Sequence, residues 1–135
     1  MDLRDLYTID RQTKVFLIGR SESGKTTVCD YLVKKGIPKE HVYDHYHSFP
    51  IQALNHLLSV DTSIVLVGED LDYRDEELVN KFDYVIITGY PSEELQSTFG
   101  LSKEIVHSKQ ENPYSTIWIR KDSEPVLFGA VDNDL

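Results

Sequence analysis

The sequence predicts an α/β protein, with helices on both faces of a mainly parallel sheet and a β-hairpin at the carboxyl end. Three observations predict it. Short, wholly apolar runs, VFLI at 15–18, IVLV at 64–67 and YVII at 84–87, have the composition of parallel strands covered on both faces, which show no polar alternation. Segments with apolar residues at helical spacing separate these runs. The closing stretch STIWIRKDSEPVLFGAV reads as a strand, a polar turn near residues 122–124 and a returning strand.

Taken in order, the first strand covers residues 14–18. A helix follows over about 24–35, and its end is signalled by Lys34, Lys35 and Gly36 with Pro38 just beyond: cations suit the negative helix pole, and glycine accepts the left-handed turn that ends many helices. HVYDHYHSF at 41–49 predicts a short strand running into a turn at Pro50. Ile51, Leu54, Leu57 and Leu58 then mark the buried face of a second helix. SIVLVGED predicts a buried strand ended by Gly68, followed by a charged helix with apolar positions Leu78, Val79 and Phe82. DYVIIT is another buried strand, and GYPSEEL leads into a short helix ending near Phe99. Residues 100–112 carry no pattern that assigns them. The sum is four mainly parallel strands plus a terminal hairpin.

Composition narrows the function classes. A chain of 135 residues, 40% apolar, suffices for one core and predicts a single domain over 1–135. The net charge is −9 and the basic residues are scattered, so no footprint for bulk nucleic acid is present. Cys29 is the only cysteine, which excludes an internal disulfide and fits a reducing compartment. The longest apolar runs are four or five residues, and the amino-terminal MDLRDLYTID is acidic and lacks a signal-peptide core. The expectation is a cytoplasmic protein with no membrane partner.

The chemistry-bearing motif lies between the first strand and the first helix. Gly19, Gly24, Lys25 and Thr26 satisfy G-x-x-x-x-G-K-[ST] without deviation, and Arg20, Ser21, Glu22 and Ser23 fill the loop, with Thr27 following. Glycines permit backbone conformations in which successive N–H groups point inward at phosphate oxygens, and the helix start adds its positive end. Lys25 is placed to reach the β- and γ-phosphates, and Thr26 to offer its hydroxyl to magnesium. The motif therefore predicts a nucleotide ligand, ATP or another nucleoside triphosphate, with Mg2+.

A carboxylate at the end of a neighbouring strand would complete a magnesium site. Asp70 is the first candidate; Glu69 beside it and Asp44 in VYDHY are the alternatives, and all three also fit solvated loop ends. VNKFDY, with Asn80, Lys81 and Asp83, resembles a guanine-reading stretch, but it precedes an apolar strand instead of following one, and so reads as an exposed helix end. His41, His45 and His47 share parity with Tyr43 on one face of an extended segment; their spacing matches no usual zinc site and fits a polar strand edge or substrate-facing loop. Stacking of a nucleobase on these tyrosine and histidine rings is a further possibility.

With these elements placed, the chain resembles the P-loop nucleoside monophosphate kinases, and most specifically the deoxynucleoside monophosphate kinases of bacteriophages. LIGRSESGKTTVCDYL is similar to their phosphate strand, loop and helix. YHSFPIQALNHLL is similar to their Phe-Ala-Asp-Pro-Leu-Lys helix start. IVLVGEDLDYRDEELVNKFDYVIIT is similar to their strand, Asp-Val-Arg-Tyr-Pro-Asn-Glu turn, helix and next strand, with Asp70, Leu71, Tyr73 and Glu76 on matching positions. GYPSEE resembles a Pro-Ser-Glu after the following strand. The resemblance implies a three-layer P-loop NTPase-like fold and phosphoryl transfer to a nucleoside monophosphate acceptor near residues 43–50. In that reading Lys25 stabilises charge, Arg74 is the clamp, and Thr26 and Asp70 hold magnesium. Asp72 stands where the family carries arginine, and the segment between Leu58 and Ser63 is much shorter than the family's acceptor and lid region. The remaining cations near a transferred phosphoryl would be Arg20, Arg74 and Arg120. The alternative function is a lid-less nucleotide-binding or slowly hydrolysing module that acts through a protein partner or as a homo-oligomer. A GTPase-like switch is disfavoured by the missing base-reading motif.

Overall fold

The computed structural model describes residues 12–19, 24–44, 49–69, 79–112, 114–120 and 123–128. The apolar runs become the centre of a single sheet. Among the described residues the strands are β1 (Lys14–Ile18), β2 (Val42–Asp44), β3 (Ile64–Gly68), β4 (Tyr84–Ile87), β5 (Thr116–Arg120) and β6 (Val126–Phe128). They lie in the order β2-β3-β1-β4-β5-β6. β1 pairs in parallel with β3 and β4, and β2 in parallel with β3, whereas β5 and β6 are antiparallel to their neighbours. The predicted set of four parallel strands and a closing hairpin is therefore observed.

Because side chains alternate across a strand, each apolar run feeds two cores. Val15, Leu17, Val65, Val67, Tyr84, Ile86, Trp118 and Phe128 face one layer together with Val28 and Leu32 of helix α1 (Lys25–Lys34). Phe16, Ile18, Ile64, Leu66, Val85, Ile87 and Ile117 face the other, with Leu54 and Leu58 of α2 (Ile51–Ser59) and Leu95 of α3 (Glu93–Thr98). The result is three layers, helix on sheet on helix. Trp118 anchors the first core: it is fully buried, donates its indole N–H to Thr116 Oγ1 at 2.8 Å, and meets Phe128 edge-on at 5.7 Å.

The helix ends follow local chemistry. α1 stops where Gly36 takes φ 125°, and Ile37 folds back into the core while its N–H bonds to Leu32 O at 3.2 Å. Pro50 opens α2, where a missing N–H costs nothing, and its carbonyl accepts from Ala53 and Leu54. Ser92 caps α3 through Leu95 N.

The structure assigns one segment that the sequence left open. Residues 100–112, left unassigned above, contain a largely polar helix, α4 (Lys103–Glu111), capped by Ser102 Oγ accepting from Ile105 N at 3.1 Å. The charged helix expected after Glu69 falls on residues 70–78, outside the described residues; its last part, Val79–Lys81, is a single 3₁₀ turn that delivers Phe82 into the core against Phe16 at 4.9 Å. No helix among the described residues is long and apolar enough to cross a membrane.

Candidate functional site

The carboxyl edge of a parallel sheet is where an open α/β fold binds ligands, because strand ends and helix starts converge there. In this chain the convergence is on Gly19. Its N–H donates to Gly68 O of β3 at 2.9 Å, while the preceding Ile18 carbonyl accepts from Thr88 N of the β4 end at 2.9 Å. The first residue of the loop is thus held between the neighbouring strands, although these are distant in sequence.

The other described end of the loop is Gly24. It adopts φ 93°, ψ 14°, the left-handed conformation that glycine tolerates, and its carbonyl accepts from Val28 N at 3.1 Å to begin α1. Its N-cap is Gly24, which has no side chain to cap the helix's positive pole, and the first turn of α1 holds no acid. Instead Lys25 occupies the first helical position. A cation there is disfavoured by about 0.3–1 kcal/mol, a cost that a bound anion would offset. Thr26 and Thr27 are exposed on the same first turn. This arrangement fits a phosphate group, and Thr26, an exposed hydroxyl at the helix start, fits a magnesium ligand.

Of the sequence-derived candidates, Gly19, Gly24, Lys25, Thr26 and Thr27 are brought together at this edge. Arg20, Ser21, Glu22, Ser23, Asp70 and Arg74 lie outside the described residues, as do Leu71, Asp72, Tyr73, Glu76, His45 and His47. Glu69 is exposed directly after β3, beside Gly19, and lines a concavity with Ile18, Gly19, Gly89, Tyr90 and Ser92. Asp44 ends β2, which β3 separates from β1, so it stands about 10 Å across the sheet by strand spacing. Its charge is nonetheless felt on α1. The Cys29 thiol is pushed up to about 11, chiefly by burial and then by Asp44 and Asp30, with Lys25 acting in the opposite direction.

Other candidates fall elsewhere. β5 runs antiparallel, so Arg120 pairs with Tyr84 at the amino edge, remote from the loop, and its Nε donates to Ser123 Oγ. Arg120 is therefore withdrawn as a phosphate ligand. Asn80, Lys81 and Asp83 occupy that same far edge: the Lys81 ammonium donates to Asn55 Oδ1, and Asp83 Oδ2 accepts from Lys14 N at 2.8 Å. His41 precedes β2 and lies within 3.3 Å of Ser63 Oγ, a strand-edge contact. Tyr43 is half-buried and packs edge-on against Phe49 at 6.0 Å, which removes it as an open stacking surface. No cluster of three or more metal-ligating side chains occurs among the described residues.

Sequence reasoning missed the residues that follow β4. Gly89, Tyr90 and Ser92 line the concavity at Gly19 only because β4 sits beside β1. Their position after an apolar strand was the available signal.

No protein-family model matches the chain, and no curated protein matches it. Among solved structures, the genome packaging NTPase B204 from Sulfolobus turreted icosahedral virus 2, in complex with ATP-gammaS, is similar with a TM-score of 0.50 and 12% identity, over 90% of this chain and 98% of that one. Similarity at that identity is one of fold, and with the strand order and the helix-flanked sheet it closes the architectural question: the chain has a three-layer P-loop NTPase-like fold.

Proposed function

We propose that the chain binds a nucleoside triphosphate, with magnesium, at residues 19–27 and serves as a minimal nucleotide kinase-like phosphotransferase toward a nucleoside monophosphate. The observation that carries the binding step is the Gly24–Lys25–Thr26 turn: a left-handed glycine feeds a lysine and a threonine into a helix whose first turn holds no acid, at the carboxyl edge of the central strand. The similarity to an NTPase fold described in complex with ATP-gammaS supports the same reading.

In this reading the loop amides and the α1 start orient the triphosphate, and Lys25 stabilises charge on the transferred group. Thr26 and Asp70 would hold magnesium, which supplies charge neutralisation across the β- and γ-phosphates. Arg74 is the proposed clamp. The placement of Glu69 beside Gly19 supports the end of β3, rather than the more distant Asp44, as the source of the acid.

A second reading, a nucleotide-binding or slowly hydrolysing module that acts through a partner or as a homo-oligomer, is favoured by one observation. α2 ends at Ser59 and β3 begins at Ile64, so residues 60–63 alone connect them and leave no length there for an arginine-bearing lid. Without a lid, water exclusion during transfer has to come from elsewhere.

Isothermal titration with Mg-ATP, Mg-GTP and deoxynucleoside monophosphates separates the readings, together with an assay of phosphate transfer from ATP. Triphosphate binding, weakened at least about tenfold in Lys25→Ala, is expected from loss of a charge-assisted contact. Binding of ATP without binding of any monophosphate removes the kinase reading and leaves the module. Absence of triphosphate binding, or an unaltered Lys25→Ala variant, removes the phosphate-loop assignment.

A further inference from the structure

We propose that Tyr90 and Tyr114 form the seat for the base of the bound nucleotide, an assignment that rests on the nucleotide-binding reading above and extends it to the half of the ligand that the phosphate loop does not hold. Among the described residues these two tyrosines are the large hydrophobic side chains left exposed, at 58% and 70%. Single exposed apolar residues are ordinary on a protein surface. What sets this pair apart is its location.

β4 and β5 are adjacent and antiparallel, and Ile87↔Ile117 is their last pair toward the phosphate edge. Tyr90 lies three residues beyond Ile87, and Tyr114 three residues before Ile117. Both therefore emerge at the carboxyl edge of the parallel strands, from neighbouring strands that lie about 4.8 Å apart where they pair. The first of them is joined to the phosphate loop by a continuous surface: Tyr90 lines the same concavity as Gly19, with Ile18, Glu69, Gly89 and Ser92.

A triphosphate seated at the β1 end can extend its nucleoside toward β3 and β2 or toward β4 and β5. The first direction offers the carboxylate of Asp44, and among the described residues the aromatics there, Tyr43 and Phe49, are half-buried against each other. The second offers two exposed phenol rings. A nucleobase is a flat, weakly hydrated π-surface, and stacking on aromatic side chains is a base-tolerant way to bind it. The seat is thus expected to accept purines without reading their edges, so ATP and GTP bind alike.

The test compares ATP with inorganic tripolyphosphate, which carries the phosphates without base or sugar, by isothermal titration of the full chain in magnesium. The parent is expected to prefer ATP by about tenfold or more, the scale of one stacked base. Tyr90→Ala and Tyr114→Ala should each shrink that preference while leaving tripolyphosphate affinity within about twofold, and Tyr90→Phe and Tyr114→Phe should retain it because the ring stays. Equal affinity of the parent for both ligands, or an ATP preference that survives both alanine substitutions, overturns the base seat and leaves the phosphate loop standing. A parent that binds neither ligand overturns the nucleotide reading and the seat with it.

Discussion

Replacing Gly24 by alanine tests whether the turn into α1 is built on a left-handed residue. At φ 93° an L side chain brings Cβ toward the following carbonyl, which costs about 1–2 kcal/mol. An added Cβ meets no heavy atom within 4 Å among the described residues, so the penalty is conformational and no neighbouring side chain can relieve it by moving. Reduced freedom of the unfolded chain returns a few tenths of a kcal/mol, leaving a net loss of about 1 kcal/mol. For a chain of this size that lowers Tm by about 3–6 °C. The assay is scanning calorimetry without nucleotide, run beside Gly24→Asn, since asparagine tolerates the left-handed region and should recover part of the loss. An alanine variant that melts with the parent, or an asparagine variant as unstable as alanine, refutes the left-handed turn as the origin of this geometry.

Further outcomes follow from the same chemistry. Because the folded Cys29 thiol is raised from the ordinary 9.0 to about 11, the folded state keeps a proton that the unfolded state loses, and stability should fall as pH rises from about 9 to 11. Cys29→Ala should flatten that slope in urea titrations across the window. The alkylation rate of Cys29 by iodoacetamide should likewise inflect near 11, and Asp44→Asn should move the inflection down. Ser102→Ala removes the α4 cap and is expected to cost about 1 kcal/mol in urea unfolding; an unchanged midpoint contradicts the cap. Leu66→Ala, at the fully buried middle of β3, should cost about 2–5 kcal/mol by the same measurement, and a loss below about 1 kcal/mol contradicts its place in the core on the α2 and α3 face of the sheet.

The legibility of each feature tracks the range over which its physics acts. Strands β1, β3 and β4 were readable because four consecutive apolar residues have no soluble alternative to burial on both faces. The strand-to-helix passage around Gly19 and Gly24 was readable because backbone freedom and helix start are both encoded within eight residues, Gly19 to Thr26. α4 was not: its inward positions are Ile105, Val106 and Lys109, and a lysine reads as solvent-facing until the fold buries it, with its ammonium pKa lowered by desolvation.

By itself the sequence determined that a strand and a helix flank a glycine-bounded motif, whose lysine and threonine carry the proposed phosphate grip. Which other residues stand around that grip was decided by tertiary structure alone. β3 and β4 flank β1 through hydrogen bonds between residues some 50 to 70 positions apart, which brings Glu69 and Tyr90 to Gly19. The antiparallel direction of β5 sends Arg120 to the far edge and leaves Tyr114 at the near one. Strand order and direction are set by the joint burial of two cores, a global condition that no local window of residues contains.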